Sequence, residues 1–195
     1  MQSKRQPETQ LEMHQTQRLR RGIRNLIHYH LQESINPHWL ISFHYSEGKT
    51  HEAEVLGDTQ DLKRKLQRLI YQARNKSIKG AGAYPYPKLL FFHEVSHQGT
   101  GQYHTHLIVE ALPSSLNTQA AVEHLFSKTL PEKVKALSKW KSINIQRIHP
   151  DPSDHWRISN YLSKQTTPEH LSLDPFSSDL LSTTQCTYNR SKGNQ

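Results

Sequence analysis

The chain has 195 residues, a length that favours a single domain. Its 25 Lys and Arg outnumber 17 Asp and Glu and give a net charge of +8, so nucleic acid is the first partner to consider. The single cysteine excludes a disulfide framework, and no run approaches the roughly 20 successive apolar residues that span a bilayer. We expect no secretory signal, because the polar first residues have no apolar stretch behind them. We therefore expect a cytoplasmic protein with no membrane partner.

The N-terminal part predicts a helix, a strand and a second helix. Apolar residues recur at helical spacing over residues 14–35, within a basic N-terminal segment of residues 1–36. Alternating apolar residues over 39–45 predict a strand. A second helix is expected after Asp58, which suits an N-cap.

The middle of the chain predicts a β-hairpin and a third helix. Aromatic and β-branched residues fill 88–96 and 103–112, and a connection that contains glycine joins these two runs. The helix is expected to follow Ser115 or Asn117, because both residue types cap helices.

The C-terminal part predicts a fourth strand at 143–147 and a short helix over 156–165 that opens near Asp151. Ser and Thr are frequent after this helix and no periodicity is sustained. We therefore expect residues 167–195 to form a loosely docked or flexible tail.

The order of these elements predicts an α+β fold. It matches the split βαβ arrangement of ferredoxin-like and RNA-recognition-like domains. We expect an antiparallel sheet of four to five strands over residues 37–166, with the helices packed on one face and the other face outward.

One motif points to a zinc protease. His93, Glu94 and His97 match H-E-x-x-H, in which a helix places two His on one side. The surrounding aromatic, Val and Gly residues favour a strand, where Glu94 faces away from both His. The longer metzincin pattern also fails, at Thr100 and Tyr103, so this interpretation is disfavoured.

The hairpin predicts a different metal site. With a turn centred on Gly99, Glu94 lies opposite His104 and Phe92 lies opposite His106, and opposed residues share a face of the sheet. Two imidazoles and a carboxylate suit a divalent ion that also holds a substrate oxygen. Surface His that bind nothing are the other interpretation.

The last helix predicts a reactive tyrosine. Tyr161, Lys164 and Gln165 are three and four residues apart and share a helix face. A phenol is a weak nucleophile at neutral pH because the pKa of tyrosine is ordinarily near 10, and a nearby ammonium favours the phenolate. A half-buried structural tyrosine is the alternative.

Together these motifs resemble the HUH single-strand endonucleases, most closely their rolling-circle replication initiator (Rep) branch. The resemblance covers about residues 38–165 and consists of an apolar first strand, an acidic residue and Gly before His104-Thr105-His106, and the Tyr-x-x-Lys helix at Tyr161. Thr105 stands where the family usually has a larger apolar residue.

The resemblance implies a metal-dependent, sequence-specific nickase and strand joiner that initiates rolling-circle replication of a plasmid, phage or virus. Its Mg²⁺ or Mn²⁺ would be held by His104, His106 and Glu94. Tyr161, supported by Lys164, would attack the phosphate to give a 5′-phosphotyrosine and a free 3′-OH. The substrate would be single-stranded DNA at an origin or hairpin, with a host helicase and polymerase as partners.

Two alternatives stay open. Single-tyrosine HUH transposases are similar and use a Gln one turn after the Tyr as a metal ligand, so Gln165 could replace or supplement Glu94. A non-catalytic single-stranded nucleic-acid-binding module is the other alternative. The arginines expected to contact DNA, unless they form only a solvated surface, are Arg18, Arg20, Arg21, Arg24 and Arg157.

Overall fold

The fold is α+β, as predicted, and is built on one open antiparallel sheet. The computed structural model describes residues 10–45, 51–72, 87–95, 102–133 and 140–180. The strands in this part of the chain are β1 (Pro37–Tyr45), β2 (Leu89–Val95), β3 (Tyr103–Glu110), β4 (Trp140–Arg147) and β5 (Leu173–Asp174). They lie in the order β4-β1-β3-β2-β5.

Five α-helical segments accompany the sheet in the described residues. They are α1 (Gln10–Tyr29), α2 (Glu52–Gln72), α3 (Gln119–His124), α4 (Leu130–Lys133) and α5 (Pro152–Ser163). A π-helical turn, His30–Ser34, extends α1, and a second one, Leu125–Thr129, joins α3 to α4. Among the helices described, none is long and apolar enough to cross a membrane.

The predicted register of the hairpin strands is confirmed. Glu94 pairs with His104 and Phe92 pairs with His106 across β2 and β3. On the other side of β3, His44 of β1 pairs with His104 and Ser42 pairs with His106. The predicted turn around Gly99 lies outside the described residues. Because paired residues share a face, these side chains line one side of the sheet.

Two predicted helix starts are wrong. The second helix, α2, begins at Glu52, so Asp58 lies inside it and is not its cap. The earlier start places Val55 in the core, where it is fully buried. The third helix, α3, is capped by Thr118, whose Oγ1 accepts a hydrogen bond from the Ala121 N–H at 3.3 Å.

Asn117, one of the predicted caps, instead ties the residues before α3 to strand β1. Its Oδ1 accepts a hydrogen bond from Trp39 Nε1 at 2.7 Å, and its amide nitrogen lies 2.9 Å from His38 Nδ1. Ser115, the other predicted cap, lies within the short 3₁₀ turn Ser114–Leu116. Polar residues that suit caps thus have competing uses in the folded chain.

Helices cover both faces of the sheet, so the prediction of helices on one face only is wrong. The first face, which carries Trp39, Ile41 and Phe43, packs against α2, α3 and α4. The second face, which carries Leu40, Phe92 and Ile108, packs against α1 and α5. The physical reason is that β2 and β3 contain successive apolar residues, and a strand of that kind needs a cover on each side.

The segment after α5 is held tightly, which corrects the prediction of a loosely docked tail for residues 167–180. Strand β5 pairs with β2 at the sheet edge. Asp179 accepts hydrogen bonds from the Leu89 N–H at 3.0 Å and from Lys63 Nζ at 2.6 Å. Residues 181–195 lie outside the described part.

Candidate active site

The second face of the sheet has an apolar end and a polar end. Strand side chains at alternate positions share a face, so the character of this face changes along each strand. Leu40, Leu90 and Ile108 lie at the apolar end, beneath α1 and α5. The polar end carries Ser42, His44, Glu94, His104 and His106.

Glu94 and His106 form a buried contact at the polar end. The Glu94 Oε2 lies 3.3 Å from the His106 Nε2. Glu94 is 4% exposed and His106 is 2% exposed, so both differ from the outward-facing residues that the sequence predicts. They are buried because α5 and the residues that follow it lie over this end of the face.

Ser42 holds the other side of the His106 ring. Its Oγ and the His106 Nδ1 share a hydrogen bond of 2.7 Å. If Nδ1 of the neutral imidazole donates, the Nε2 lone pair faces a carboxylate oxygen that also lies 3.3 Å from the Lys164 ammonium. If Ser42 donates instead, the proton is on Nε2 and points toward Glu94. Either tautomer keeps Nε2 directed at Glu94.

Tyr161 and Lys164 reach this pair from α5. Helix α5 starts where Asp151 Oδ1 accepts a hydrogen bond from the Ser153 N–H at 2.8 Å, and it ends at Ser163. The Tyr161 ring lies edge-on to the His106 ring with their centroids 5.3 Å apart, and it remains 41% exposed.

The ammonium of Lys164 lies between the tyrosine and the carboxylate. Its Nζ is 3.7 Å from the centroid of the Tyr161 ring and 3.3 Å from Glu94 Oε2. Burial opposes ionisation of Glu94, but the contacts with His106 and Lys164 outweigh it and hold the pKa of this carboxyl below its ordinary value. Glu94 is therefore a carboxylate at neutral pH.

His104 lies one residue pair further along the same face. Its ring packs edge-on against the His44 ring, with centroids 4.4 Å apart. Burial and the neighbouring His44 and His106 lower the pKa of His104, despite the opposing effect of Glu94. A neutral imidazole at this position keeps a lone pair available to a metal ion.

Gln165 is bonded to the backbone of β2 next to Glu94. Its side-chain Oε1 accepts a hydrogen bond from the backbone N–H of Val95 at 2.8 Å, which ties the turn after α5 to the end of β2. Since Oε1 is the amide atom that would bind a metal ion, this bond favours Glu94 over Gln165 as the third donor.

The residues present fit a divalent ion only in part. No group of three His, Cys, Asp or Glu side chains is arranged as a metal site in the described residues. However, Glu94 Oε1 is buried without a hydrogen-bond partner there, and His106 Nε2 makes no hydrogen bond there although it lies 3.3 Å from Glu94 Oε2. A buried carboxylate with an unused oxygen beside an imidazole suits such an ion. Glu94 and His106 are thus the donors that fit, with His104 next to them.

Two of the predicted DNA-contacting arginines join α1 to α5 and to the turn that follows α5. The Nε of Arg20 donates to the backbone oxygen of Thr166 at 2.9 Å. Arg24 donates to Asn160 Oδ1 at 3.1 Å, and its guanidinium carbon lies 4.6 Å from the centroid of the Trp156 ring. These two side chains stabilise the helix pair, whatever else they contact.

The remaining arginines are more open. Arg18 and Arg21 are exposed on α1. Arg157 donates to Asp154 Oδ1 through Nε at 2.9 Å and through Nη2 at 2.6 Å, and its side chain is 64% exposed. A phosphate could still approach all three from solvent.

The strand expected for the H-E-x-x-H segment is observed. His93 lies in β2 on the first face, with Nδ1 3.1 Å from Thr105 Oγ1 and Nε2 3.3 Å from Asp174 Oδ2. Glu94 lies on the second face, and His97 is outside the described residues. This arrangement contradicts the helical protease motif.

Ser42 and Asp174 also organise this region, although the sequence motifs do not include them. Ser42 could have been found, since it precedes His44 by two residues in a strand predicted to alternate. Asp174 has no local signal, because its partner His93 is 81 residues away in the chain.

Comparison of the chain with protein-family models, with curated proteins and with solved structures gives no match. A function for this chain therefore has to be inferred from the geometry of its own residues.

Proposed function

We propose that this protein is an HUH-type endonuclease and strand transferase that nicks and rejoins single-stranded DNA through a covalent phosphotyrosine. The biological role we infer is initiation of rolling-circle replication, with strand separation and synthesis supplied by a host helicase and polymerase. The nucleophile is Tyr161. Mg²⁺ or Mn²⁺ is the cofactor.

The observation that carries the proposal is the meeting of three separate motifs. The His pair of β3 and the acidic residue of β2 lie in one hairpin, and the Tyr-x-x-Lys pair at the end of α5 comes much later in the chain. They converge where Tyr161 contacts His106 and Lys164 contacts Glu94. The carboxylate that contacts Lys164 is buried and keeps one oxygen without a hydrogen-bond partner in the described residues, an arrangement more typical of a functional site than of a structural tyrosine.

The proposed reaction follows from the roles of these side chains. The Tyr161 oxygen attacks phosphorus and forms a phosphotyrosine bond as the bond to O3′ breaks. The phenol proton is released, and O3′ takes up a proton to become a free hydroxyl. Because the phosphodiester energy is kept in the phosphotyrosine, a 3′-OH can attack it in reverse and rejoin the strand.

The other residues of the site would prepare this step. Lys164 would stabilise negative charge near the phenol, and Ser42 would hold the His106 ring in place. A divalent ion held by Glu94 and His106, with His104 beside them, would polarise the scissile phosphate.

Trapping a covalent adduct tests the proposal. The unmodified protein is incubated with a pool of single-stranded oligonucleotides and Mn²⁺, and adducts are separated and mapped by mass spectrometry. We expect the nucleotide on Tyr161. Tyr161→Phe should reduce cleavage on the order of 10³-fold or more while leaving DNA binding intact, since it removes one oxygen from a partly exposed ring.

Tyr29→Phe is the matched control, because Tyr29 is also exposed but lies on α1. It should form the adduct normally. EDTA, or a double change of His104 and His106 to Ala in a variant shown to be folded, should abolish cleavage. Cleavage without an adduct, or an adduct on another tyrosine, contradicts the mechanism, and binding without any cleavage indicates the non-catalytic module.

A further inference from the structure

A cleft lies beside the Tyr161 ring, between α5 and the second face of the sheet. Its volume is about 250 Å³, and it reaches from His106 to the edge strand β4. Sites for drug-sized ligands usually measure roughly 300–1,000 Å³, so this cleft suits a smaller group. Leu40 and Ile158 supply apolar surface at its base.

Two side-chain amides line the β4 side of the cleft. Asn144 pairs with Ser42 and Gln146 pairs with Leu40, so both amides lie on the second face. Both residues are exposed, and neither amide has a hydrogen-bond partner among the described residues. Each amide offers a donor and an acceptor, and nothing within the described fold uses them.

This combination matches the chemistry of a nucleobase. A base has flat apolar faces, which can lie against the Tyr161 ring and the aliphatic side chains, and a polar edge, which amides can read. Asn and Gln form paired hydrogen bonds with the N6 amino group and N7 of adenine. Arg157 also lines the cleft and could contact an adjoining phosphate.

We propose that Asn144 and Gln146 read the base of a nucleotide next to the scissile phosphate and select adenine there. The inference rests on the proposed function, because it takes Tyr161 to be the nucleophile. It adds the residues and the base that determine specificity, and it assigns a role to the exposed face of β4.

Selection from a random pool of single-stranded DNA tests the base preference without requiring cleavage. Tyr161→Phe protein is used so that bound strands stay intact, and bound strands are sequenced. We expect one position with a preference for adenine. Adding Asn144→Ala and Gln146→Ala should reduce that preference roughly tenfold at this position alone, because the variant cannot form the paired hydrogen bonds.

Gln60→Ala, which removes an exposed amide from α2 on the other side of the sheet, is the matched control and should leave the preference unchanged. An unchanged preference in the Asn144/Gln146 variant would overturn the inference, as would an equal loss at every position.

The two proposals can fail separately. Adduct formation by the unmodified protein, together with an unchanged base preference in the Asn144/Gln146 variant, would support the proposed enzyme and reject the base-reading role of Asn144 and Gln146. If the Asn144/Gln146 variant loses the base preference but the unmodified protein forms no adduct, the two amides read a base and the proposed enzyme is rejected. Absence of DNA binding would reject both.

Discussion

Asp174 gives a prediction whose magnitude follows from the structure. Its Oδ2 lies 3.3 Å from His93 Nε2, and its Oδ1 accepts hydrogen bonds from the N–H groups of Phe176 at 2.8 Å and Ser177 at 3.1 Å. The side chain is fully buried. Burial opposes its charge, but these hydrogen bonds outweigh burial and lower the pKa of Asp174 from 3.8 to about 2.

A carboxyl with this pKa stabilises the native state by roughly 2 kcal/mol at neutral pH. Because the native pKa is depressed, the contribution is present above the unfolded-state pKa, near pH 4, and is lost as the pH falls toward 2. Asp174→Asn keeps the shape of the side chain but removes its charge. We therefore expect the variant to lose roughly 2 kcal/mol at pH 7 and progressively less below pH 4.

Urea denaturation of both proteins at several pH values measures this difference. Asp61→Asn is the matched control, because Asp61 makes an exposed ion pair with Arg64 and should change stability by less than about 0.5 kcal/mol. A difference for Asp174→Asn that is equally large at pH 7 and near pH 2 would show that altered packing, and not the charge, causes it. A negligible difference at pH 7 would refute the reasoning.

Two further predictions concern catalysis and DNA binding. Ser42→Ala should raise the Mn²⁺ concentration needed for half-maximal cleavage by roughly 10–100-fold, because the His106 ring then has no hydrogen bond at Nδ1 from this residue. Ser42→Thr keeps a hydroxyl and should need the same Mn²⁺ concentration as the unmodified protein. An unchanged Mn²⁺ requirement in Ser42→Ala would contradict the proposal that Ser42 holds the His106 ring. Changing Arg18 and Arg21 to Gln should reduce the slope of log affinity against log salt by roughly 0.7 for each phosphate that is no longer neutralised. An unchanged slope would assign these arginines to a solvated surface.

The pairing of β2 with β3 could be predicted from sequence because strand geometry is regular. Side chains alternate with a period of two, so one assumed turn centre determines every opposed pair. That regularity places Glu94 opposite His104, as observed. The position of Tyr161 beside His106 also agrees with the expected order of elements, since α5 comes directly after β4.

The second helical layer could not be predicted from periodicity alone. An amphipathic helix shows which of its sides is buried but not which face of the sheet it covers. The continuous apolar run Leu89–Phe92 does carry a signal, because such a run is typical of a strand buried on both faces. Buried polar contacts such as Asp174 with His93 depend on residues far apart in sequence, so no local pattern reveals them.

The packing of α5 explains how the candidate site is prepared before any substrate binds. Ile158 and Leu162 are buried against the apolar end of the second face, and Tyr161 is three residues after Ile158 on the same helix. Core packing therefore sets the position of the Tyr161 backbone, while Gln165 holds the turn that follows to β2. A nucleophile positioned in this way loses little conformational entropy when a phosphate arrives, which is the condition for efficient attack. The helix that closes the second face thus stabilises the fold and also places the ring of the proposed nucleophile against the buried His106.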